Sequence, residues 1–395
     1  MKIKVGVIFG GETVEHEVSI ISAVQAMNHM DDEKYEIIPI YIAKDRTWYT
    51  GTMLKEIDIY RNFDDLKRYA KRVTLCKRDG GFYLVNTKGL FRRDVAELDI
   101  AFPIVHGNNA EDGTLQGYLS MIGIPYVGSS ILGAALGQDK VVMKQVFKDA
   151  NLPVVPYTWF FDCDYLDDDK KIKKNIKELG YPVIVKPASL GSSVGINVVK
   201  KESEIDDAIT EAIKYDTKIV VEKMVPNMVE VNCSVLGNYE HQQTSELEEV
   251  MSGEEFLTYR DKYLGNAKGG KSKGMVSTNR VIPARIKAST KKEIEEISKE
   301  AFRALNLSGV CRIDYLIDKK ENKVYINEPN TIPGSLSFYL WEPTGKKYTE
   351  LLDDMITIAI KDYKNRSKKT YSFETNILSN FNGTKGLKGI KGKLK

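Results

Sequence analysis

The sequence predicts an α/β protein built from more than one domain. Its 395 residues exceed what one ordinary hydrophobic core holds, so two or three domains are expected. Strand-like and helix-like segments alternate along the first part of the chain, a pattern typical of a parallel sheet covered by helices. An apolar fraction of 42% beside 29% charged residues is typical of globular proteins.

The amino-terminal region is predicted to begin with strand, turn and helix. Residues 3–9 are rich in Val and Ile, and apolar residues follow at helical spacing between Ile20 and Met30. Further strands are predicted at Tyr35–Ile42 and Ile100–Val105, whereas 43–98 shows only short strand-like runs. These segments predict the parallel sheet.

The remaining chain is predicted to contain helices, short strands, one polar loop and a β-hairpin. Residues 251–280 are polar and glycine-bearing, so a mobile loop is expected there. The other expected elements are the helices 138–150, 170–180, 202–214 and 291–305, the strands 183–186, 196–199 and 219–223, and the hairpin 310–329.

Composition excludes several classes of protein. Four cysteines without CxxC spacing and four histidines without HxxH or HxxxH spacing argue against a disulfide framework or a zinc site. No apolar run reaches the ~18 residues of a membrane span. The amino terminus shows no signal-peptide pattern, so a cytoplasmic protein is expected.

Charge is distributed unevenly along the chain. Residues 361–395 hold ten basic residues against two acidic ones, a surplus of eight, so the rest carries a net charge of −5 within a total of +3. The acidic body argues against a nucleic-acid-binding protein, and no nucleic acid or membrane partner is expected. Binding of an anionic polymer or membrane surface by the basic tail is the alternative.

The predicted hairpin carries two carboxylates on one face. Side chains on a strand repeat every two residues, so Arg312 and Asp314 share a face, as do Glu328 and Asn330. Folding the hairpin about residue 321 places Asp314 nearly opposite Glu328. Two carboxylates and an amide oxygen are ligands that magnesium prefers. The alternative is an exposed charged hairpin whose negative charge Arg312 offsets.

The segment 186–196 offers groups suited to phosphate. It lies between two predicted strands and combines Lys186 with glycines that can expose backbone N–H groups, and it carries the hydroxyls of Ser189, Ser192 and Ser193. It is not a Walker A sequence. The alternative is a serine-glycine turn that binds no ligand.

Two further residues follow predicted strands. Glu15 opens a helix after Gly10-Gly11, a pair that lacks GxGxxG spacing and so gives little support for a nicotinamide site. A first-turn acid stabilised by the helix dipole is the alternative for Glu15. His106 ends a buried strand, where ligands of α/β sheets bind, although a structural histidine is the alternative.

In combination, these segments resemble the D-alanine–D-alanine ligases of the ATP-grasp superfamily. The resemblance runs from residue 3 to about 360. It rests on collinear segments: Val7–Gly11, Glu15–Ser19, His106-Gly107, Glu111–Gly117, Gly128-Ser129, Asp139-Lys140, Lys186–Gly195, Lys262-Tyr263, Arg312–Asp314 and Glu328–Gly334.

The resemblance implies an ATP-grasp fold of three domains. A Rossmann-like parallel-sheet domain at 1–128 would precede two α+β domains, 129–225 and 226–362, that clamp ATP, with a flexible basic tail at 363–395. Magnesium would be held by Asp314, Glu328 and Asn330, as two ions that manganese can replace. The implied ATP-binding residues are Lys140, Lys186, Ser193, Glu222, Lys223, Val225, Glu230 and Lys262.

The implied reaction joins two D-alanine molecules for peptidoglycan synthesis. ATP would convert the first carboxylate into an acyl phosphate, which the second amine attacks. Arg312 and the backbone N–H of Gly334 would stabilise the oxyanion, and the 251–280 loop would exclude water. The implied substrate contacts are Glu15 with His106 nearby, Ser192 and Tyr263 bridging from Glu15, and Ser337 at the second amino acid.

One segment departs from the family pattern. About four residues fewer than usual separate Gly334 from Trp341-Glu342, in the stretch that normally contacts the second substrate. D-serine or another amino acid as acceptor is therefore the alternative, although Lys262-Tyr263 favours an amine nucleophile. The resemblance also suggests a homodimer.

Overall fold

The first sheet is seven-stranded and mixed. The computed structural model describes residues 2–88, 93–191, 194–251 and 280–375. Strand β1 (Ile3–Gly10) pairs in parallel with β2 (Tyr35–Ile42) and β7 (Ile100–Pro103), which confirms the predicted parallel pairing. The other strands are β3 (Trp48–Thr50), β4 (Lys71–Arg78), β5 (Gly81–Asn86) and β6 (Asp94–Leu98), in the sheet order β6-β5-β4-β3-β2-β1-β7.

The region expected to be irregular supplies β3 to β6, and all of these pair antiparallel. The chain reverses between β4 and β5 through Asp79 and Gly80, both with positive φ, which gives a hairpin and so an antiparallel pair. The helices of this region are α1 (His16–His29), α2 (Phe63–Tyr69) and α3 (Thr114–Ile122).

The central unit is a four-stranded antiparallel sheet. Its strands β8 (Tyr157–Phe161), β9 (Val183–Pro187), β10 (Asn197–Val199) and β11 (Lys218–Lys223) lie in the order β10-β9-β11-β8. Before the sheet come α4 (Ile131–Gln138) and α5 (Lys140–Asp149). Within it lie α6 (Asp162–Asp167), α7 (Asp169–Leu179) and α8 (Ile205–Ile213).

Helix α5 begins at a side-chain cap. The carboxylate of Asp139 accepts hydrogen bonds from the backbone N–H groups of Val141 and Val142, at 2.9 and 3.0 Å. This N-cap separates α5 from α4, and the helix predicted at 138–150 therefore begins at Lys140.

The third sheet contains the predicted hairpin. Its strands are β12 (Met228–Gly237), β13 (Gln242–Val250), β14 (Arg280–Val281), β15 (Gly309–Asp318) and β16 (Lys323–Asn330), in the order β14-β13-β12-β15-β16. Helix α9 (Ala288–Ala304) packs on its apolar face. Asp314 lies opposite Glu328 and Arg312 opposite Asn330, so the predicted register is confirmed.

The carboxyl-terminal helix packs on the first sheet's domain. After α10 (Phe338–Trp341) comes α11 (Tyr348–Ser367), whose Leu352 and Met355 belong to the same core as Ile20 and Met27 of α1. Helix α11 extends past residue 362, where the sequence suggested a boundary. Among the described residues, no helix combines the length and apolarity that crossing a membrane requires.

Candidate active site

The third sheet has one apolar and one polar face. On β12, Val231 and Cys233 are buried against α9, whereas Asn232 and Ser234 point to the opposite face. The strand register places four polar residues in one row across that second face: Glu248, Asn232, Asp314 and Glu328. The alternation of the strands thus gathers acidic groups from three strands, with an amide between them, on one surface.

Arg312 neutralises the central acid of this row. Its Nε and Nη2 donate to Oδ1 and Oδ2 of Asp314 at 2.7 and 2.8 Å, and Nδ2 of Asn330 donates to Oδ2 at 3.1 Å. Burial alone lowers the pKa of the Arg312 guanidinium, but Asp314 raises it well above its usual value. A positive group is therefore fixed beside the acids, as oxyanion stabilisation requires.

Two lysines of the central unit approach the hairpin. Lys140 Nζ lies 3.1 Å from Oε2 of Glu328 and donates to the carbonyl oxygen of Leu190 at 2.8 Å. Lys186 Nζ donates to Oδ1 of Asn327 at 3.4 Å and to Oε2 of Glu222 at 2.8 Å. The lysines, the start of the serine-glycine segment and the paired acids thus meet at the junction of the second and third sheets, which is called the cleft below.

Glu222 is buried between two ammonium groups. Besides Lys186, Lys144 Nζ lies 3.1 Å from its Oε1, and the side chains of Glu222 and Lys144 are 2% and 0% exposed. Burial alone raises the pKa of the Glu222 carboxyl, but the two lysines outweigh that effect and lower this pKa to about 2. Glu222 is therefore a carboxylate at every physiological pH.

Glu15 lies beside two of the loops that the sequence singled out. A β-carbon placed on Gly107 would lie 2.9 Å from Oε2 of Glu15, and one placed on Gly191 would lie 4.0 Å from it. Burial raises the pKa of Glu111 well above its usual value, and the charges of Glu15 and Glu328 add to this effect. Several acids at one end of the cleft form an environment that favours a positively charged group such as a substrate ammonium.

His106 connects the first domain to the segment before Gly334. Its Nδ1 is 2.6 Å from the carbonyl oxygen of Ile332, and its Nε2 is 2.9 Å from Oγ of Ser22. That same hydroxyl accepts a hydrogen bond from the backbone N–H of Ser335 at 2.9 Å. Burial lowers the pKa of His106, so the ring is held neutral. Both ring nitrogens are occupied by protein groups.

The segment after Gly334 is a tight turn of unusual handedness. Ser335, Leu336 and Ser337 have φ angles of 50°, 51° and 52°, a left-handed conformation that side chains rarely adopt. Ser337 is fully buried, and within the part of the chain that the structure describes its hydroxyl makes no hydrogen bond. A buried hydroxyl without a partner calls for an explanation, and a ligand that hydrogen-bonds to Ser337 would supply one.

The remaining predicted ATP residues differ in where they point. Lys223 Nζ donates to the carbonyl oxygen of Gly180 at 2.6 Å, on the side away from Glu222. Val225 is buried with Leu316, and Glu230 lies opposite Leu316 on the polar face of β12. Four predicted residues lie outside the described part of the chain: Ser192, Ser193, Lys262 and Tyr263.

Sequence reasoning missed a polar network at the end of the row. Glu248 Oε1 accepts from Nδ2 of Asn232 at 2.9 Å and from the Tyr339 hydroxyl at 3.1 Å, and its Oε2 lies 3.3 Å from Nη1 of Arg280. The alternation of β13 could have placed Glu248 on the polar face. Lys144 was also missed, although its spacing of four from Lys140 puts both on one face of α5.

The sequence matches two family models. The model described as D-ala D-ala ligase N-terminus matches residues 4–129, and the one described as D-ala D-ala ligase C-terminus matches 146–357. The D-alanine–D-alanine ligase of Thermosipho melanesiensis is 38% identical over 378 residues, covering 95% of this chain and 98% of that protein. The one from Thermoanaerobacter sp. is 38% identical over 382 residues, covering 93% of this chain and 99% of its own.

Solved structures show the same likeness. The D-alanine-D-alanine ligase from Coxiella burnetii has a TM-score of 0.78 at 29% identity, covering 93% of this chain and 96% of its own. The VanG D-Ala:D-Ser ligase from Enterococcus faecalis has a TM-score of 0.76 at 31% identity, covering 91% of this chain and 100% of its own. Together with the arrangement of the cleft, these matches establish that the chain belongs to the D-alanine–D-alanine ligase family of ATP-dependent ligases.

Proposed function

We propose that this protein joins two molecules of D-alanine into D-alanyl-D-alanine, with ATP cleaved to ADP and phosphate. The observation that carries this proposal is the cleft itself. Lys140 and Lys186 approach it from the central unit, and Arg312, Asp314 and Glu328 approach it from the third sheet. Cations that suit phosphates thus face acids that suit a metal ion, next to an acidic pocket at Glu15.

The acids of the hairpin fit a magnesium site. Among the described residues, no group of three or more His, Cys, Asp or Glu side chains is arranged so that it could hold a metal ion by itself. Magnesium bound with a nucleotide usually has one or two carboxylate ligands and takes its other oxygens from phosphate and water. Asp314, Glu328 and Asn330 would hold such ions, which we propose to number two. Bound magnesium would neutralise charge on the transferring phosphoryl group.

In the first step, the carboxylate of one D-alanine attacks the γ-phosphoryl group. Glu15 would hold the ammonium of that amino acid, while Lys140 and Lys186 hold phosphate oxygens and Glu222 accepts a hydrogen bond from the base. The new O–P bond gives an acyl phosphate, and ADP leaves. Positioning and charge stabilisation account for catalysis of this kind.

In the second step, the amine of the other D-alanine attacks the acyl carbon. The C–N bond forms, the C–O bond to phosphate breaks, and the amine loses a proton. Arg312 and the backbone N–H of Gly334 would stabilise negative charge on the carbonyl oxygen. Ser337 would contact the second D-alanine, and the support is its buried hydroxyl, which has no hydrogen-bond partner among the described residues.

D-Serine is the second candidate for the acceptor. The likeness to VanG, a D-Ala:D-Ser ligase, and the short segment after Gly334 favour it. The sequence relatives at 36–38% identity are named D-alanine–D-alanine ligases, and they favour D-alanine more strongly. Such a dipeptide would serve peptidoglycan synthesis in the cytoplasm, where ATP is present, and we propose that the enzyme acts there as a homodimer.

Product analysis tests the proposal. The full chain is incubated with ATP, magnesium and either D-alanine alone or D-alanine with D-serine, and products are identified by mass spectrometry. D-alanyl-D-alanine from D-alanine alone, with one phosphate released per dipeptide, is the expected result. A mixed dipeptide that forms only when D-serine is present would favour the second candidate. Phosphate release without any dipeptide would overturn both.

A further inference from the structure

Lys144 is a fully buried lysine to which the proposed reaction assigns no role. Its side chain is 0% exposed, and its Nζ lies 3.1 Å from Oε1 of Glu222. This contact is an ion pair without hydrogen-bond alignment, because neither atom has a hydrogen-bond partner among the described residues. Removing a lysine from water is costly unless its charge is compensated, so its burial indicates a specific task.

Helix α5 presents three lysines along one side. Lys140, Lys144 and Lys148 follow at intervals of four residues and therefore share one face. Lys140 reaches Glu328 in the cleft and Lys144 reaches Glu222, whereas Lys148 is exposed and lies 4.4 Å above the ring of Tyr157. The helix thus aims two ammonium groups at two acids and leaves the third in solvent.

The two lysines around Glu222 hold its carboxylate from both sides. Lys144 faces Oε1, and Lys186 donates to Oε2 at 2.8 Å. Lys186 Nζ also lies 3.4 Å from Oδ1 of Asn327, which connects the pair to β16. A carboxylate fixed at both oxygens cannot rotate freely, and the ammonium of Lys186 is fixed with it.

We propose that Lys144 is a positioning residue of the nucleotide site, which holds Glu222 ionised and oriented so that the enzyme selects adenine over guanine. This inference rests on the proposed function, in which Glu222 meets the base. A carboxylate can accept a hydrogen bond from the exocyclic amino group of adenine. It repels the keto oxygen that guanine carries at the same position, so a fixed negative charge there discriminates between the two bases.

The test compares ATP and GTP binding in Lys144→Met, a replacement of similar length without charge. Calorimetric titration of the full chain gives Kd for each nucleotide with magnesium. We expect ATP binding to weaken about tenfold or more, as for the loss of one charged hydrogen bond, while GTP binding changes little. In turnover assays the KM for ATP should rise more than kcat falls. Lys148→Met is the matched control and should bind both nucleotides like the unaltered protein.

The pH profile separates positioning from a merely structural role. Among the described residues, the charged groups beside Glu222 are Lys144 from α5 and Lys186 from β9, and Lys140 of α5 and Tyr157 of β8 lie near Lys144. Without Lys144, burial of Glu222 favours its neutral form. The ratio of the variant's Kd for ATP to that of the unaltered protein should therefore grow as the pH falls from 7.5 to 5.5. A ratio independent of pH would contradict the proposal.

A double variant keeps the test valid if Lys144→Met folds poorly. Lys144→Met with Glu222→Gln removes both charges together and should discriminate between ATP and GTP no worse than Glu222→Gln alone. If the double variant loses a further tenfold of the preference for ATP over GTP relative to Glu222→Gln, Lys144 acts independently of Glu222, and the inference is overturned. If the unaltered protein fails to bind ATP, the proposed function itself fails. If it binds ATP and Lys144→Met behaves identically, only this inference fails.

Discussion

At the scale of one residue, Arg312 fixes a positive charge beside the acids of the cleft. Its guanidinium holds both oxygens of buried Asp314. Removing one partner of a buried ion pair leaves the other charge uncompensated, which costs roughly 3–5 kcal/mol. The pair therefore affects folding as well as chemistry.

We predict that Arg312→Met lowers the free energy of unfolding by about that amount and lowers kcat by at least ~100-fold, because an oxyanion donor is lost. Urea unfolding and phosphate release are the measurements. Arg61→Met is a control, since Arg61 Nη2 lies 3.0 Å from Oδ1 of Asp58 but both side chains of this pair are exposed, at 81% and 77%. It should leave stability nearly unchanged. Equal destabilisation by both variants would contradict the assignment.

The buried His106 is expected to make the free energy of unfolding depend on pH. Burial lowers its pKa in the folded protein below the ordinary 6.5, so the unfolded chain takes up a proton first as the pH falls. Its contribution to stability is complete above pH 6.5 and is lost below it, with a slope of up to about 1.4 kcal/mol per pH unit. His16, whose pKa burial also lowers, acts in the same direction.

Replacing His106 by Gln should therefore flatten the loss of stability between pH 6.5 and 5. Denaturant titrations at several pH values measure this slope. The exposed His241, replaced by Gln, is the control and should leave the slope as it is. A slope that stays the same in His106→Gln would show that the ring is protonated in the folded protein.

At the scale of the element, side chains alternate between the two faces of β15 and β16. Residues that stabilise the fold therefore lie on one face, and residues of the candidate site lie on the other. Ile313 is fully buried against α9, and its neighbour Asp314 points into the cleft with Glu328. Ile313→Ala should lower the free energy of unfolding by about 2–5 kcal/mol because it leaves a cavity, with KM for ATP nearly unchanged.

Glu328→Gln should show the opposite behaviour. Glu328 is 24% exposed, so its loss should change stability by less than ~1 kcal/mol, while turnover falls at least ~100-fold because a metal-binding charge is removed. Thermal unfolding and phosphate release compare the two variants. A Glu328→Gln protein that unfolds as easily as Ile313→Ala in metal-free buffer would make Glu328 a structural residue.

The same elements show what sequence reasoning could reach. The two-residue alternation of side chains along a strand and the polar turn between the strands were enough to pair Asp314 with Glu328 across the hairpin, because both signals are local. Within 43–98 only short strand-like runs were predicted, because even β4, which is eight residues long, buries only Val73 and Leu75 and so gives a weak apolar signal. Lys144 was missed for another reason: a lysine is normally exposed, and its burial depends on Glu222, which is 78 residues away in the sequence.

At the scale of the whole molecule, the two ends of the chain share one core. Leu352 of α11 is fully buried with residues of α1. At the rim of this contact, Lys34 Nζ lies 2.7 Å from Oδ2 of Asp353, and the Tyr35 hydroxyl donates to Oδ1 of the same residue. The family resemblance implied one domain at 1–128 and another at 226–362, and local sequence patterns do not show the packing between their elements.

This shared core predicts cooperative unfolding of the two ends. Leu352→Ala should destabilise by about 2–5 kcal/mol, and fluorescence of Trp48 in β3 and of Trp341 in α10 should change together. Single-tryptophan variants followed in denaturant test this. Two transitions at separate denaturant concentrations would show that the first domain and α11 unfold independently.

The central claim is that the cleft presents the γ-phosphoryl group of ATP to a free carboxylate. The most direct test of this claim follows an oxygen atom from D-alanine to phosphate. The reaction is run with D-alanine that carries ¹⁸O at both carboxylate oxygens. Attack of the carboxylate makes one of these the bridging oxygen of the acyl phosphate. The account predicts one ¹⁸O atom in each phosphate released, detected by mass spectrometry. Dipeptide formed with unlabelled phosphate would contradict it.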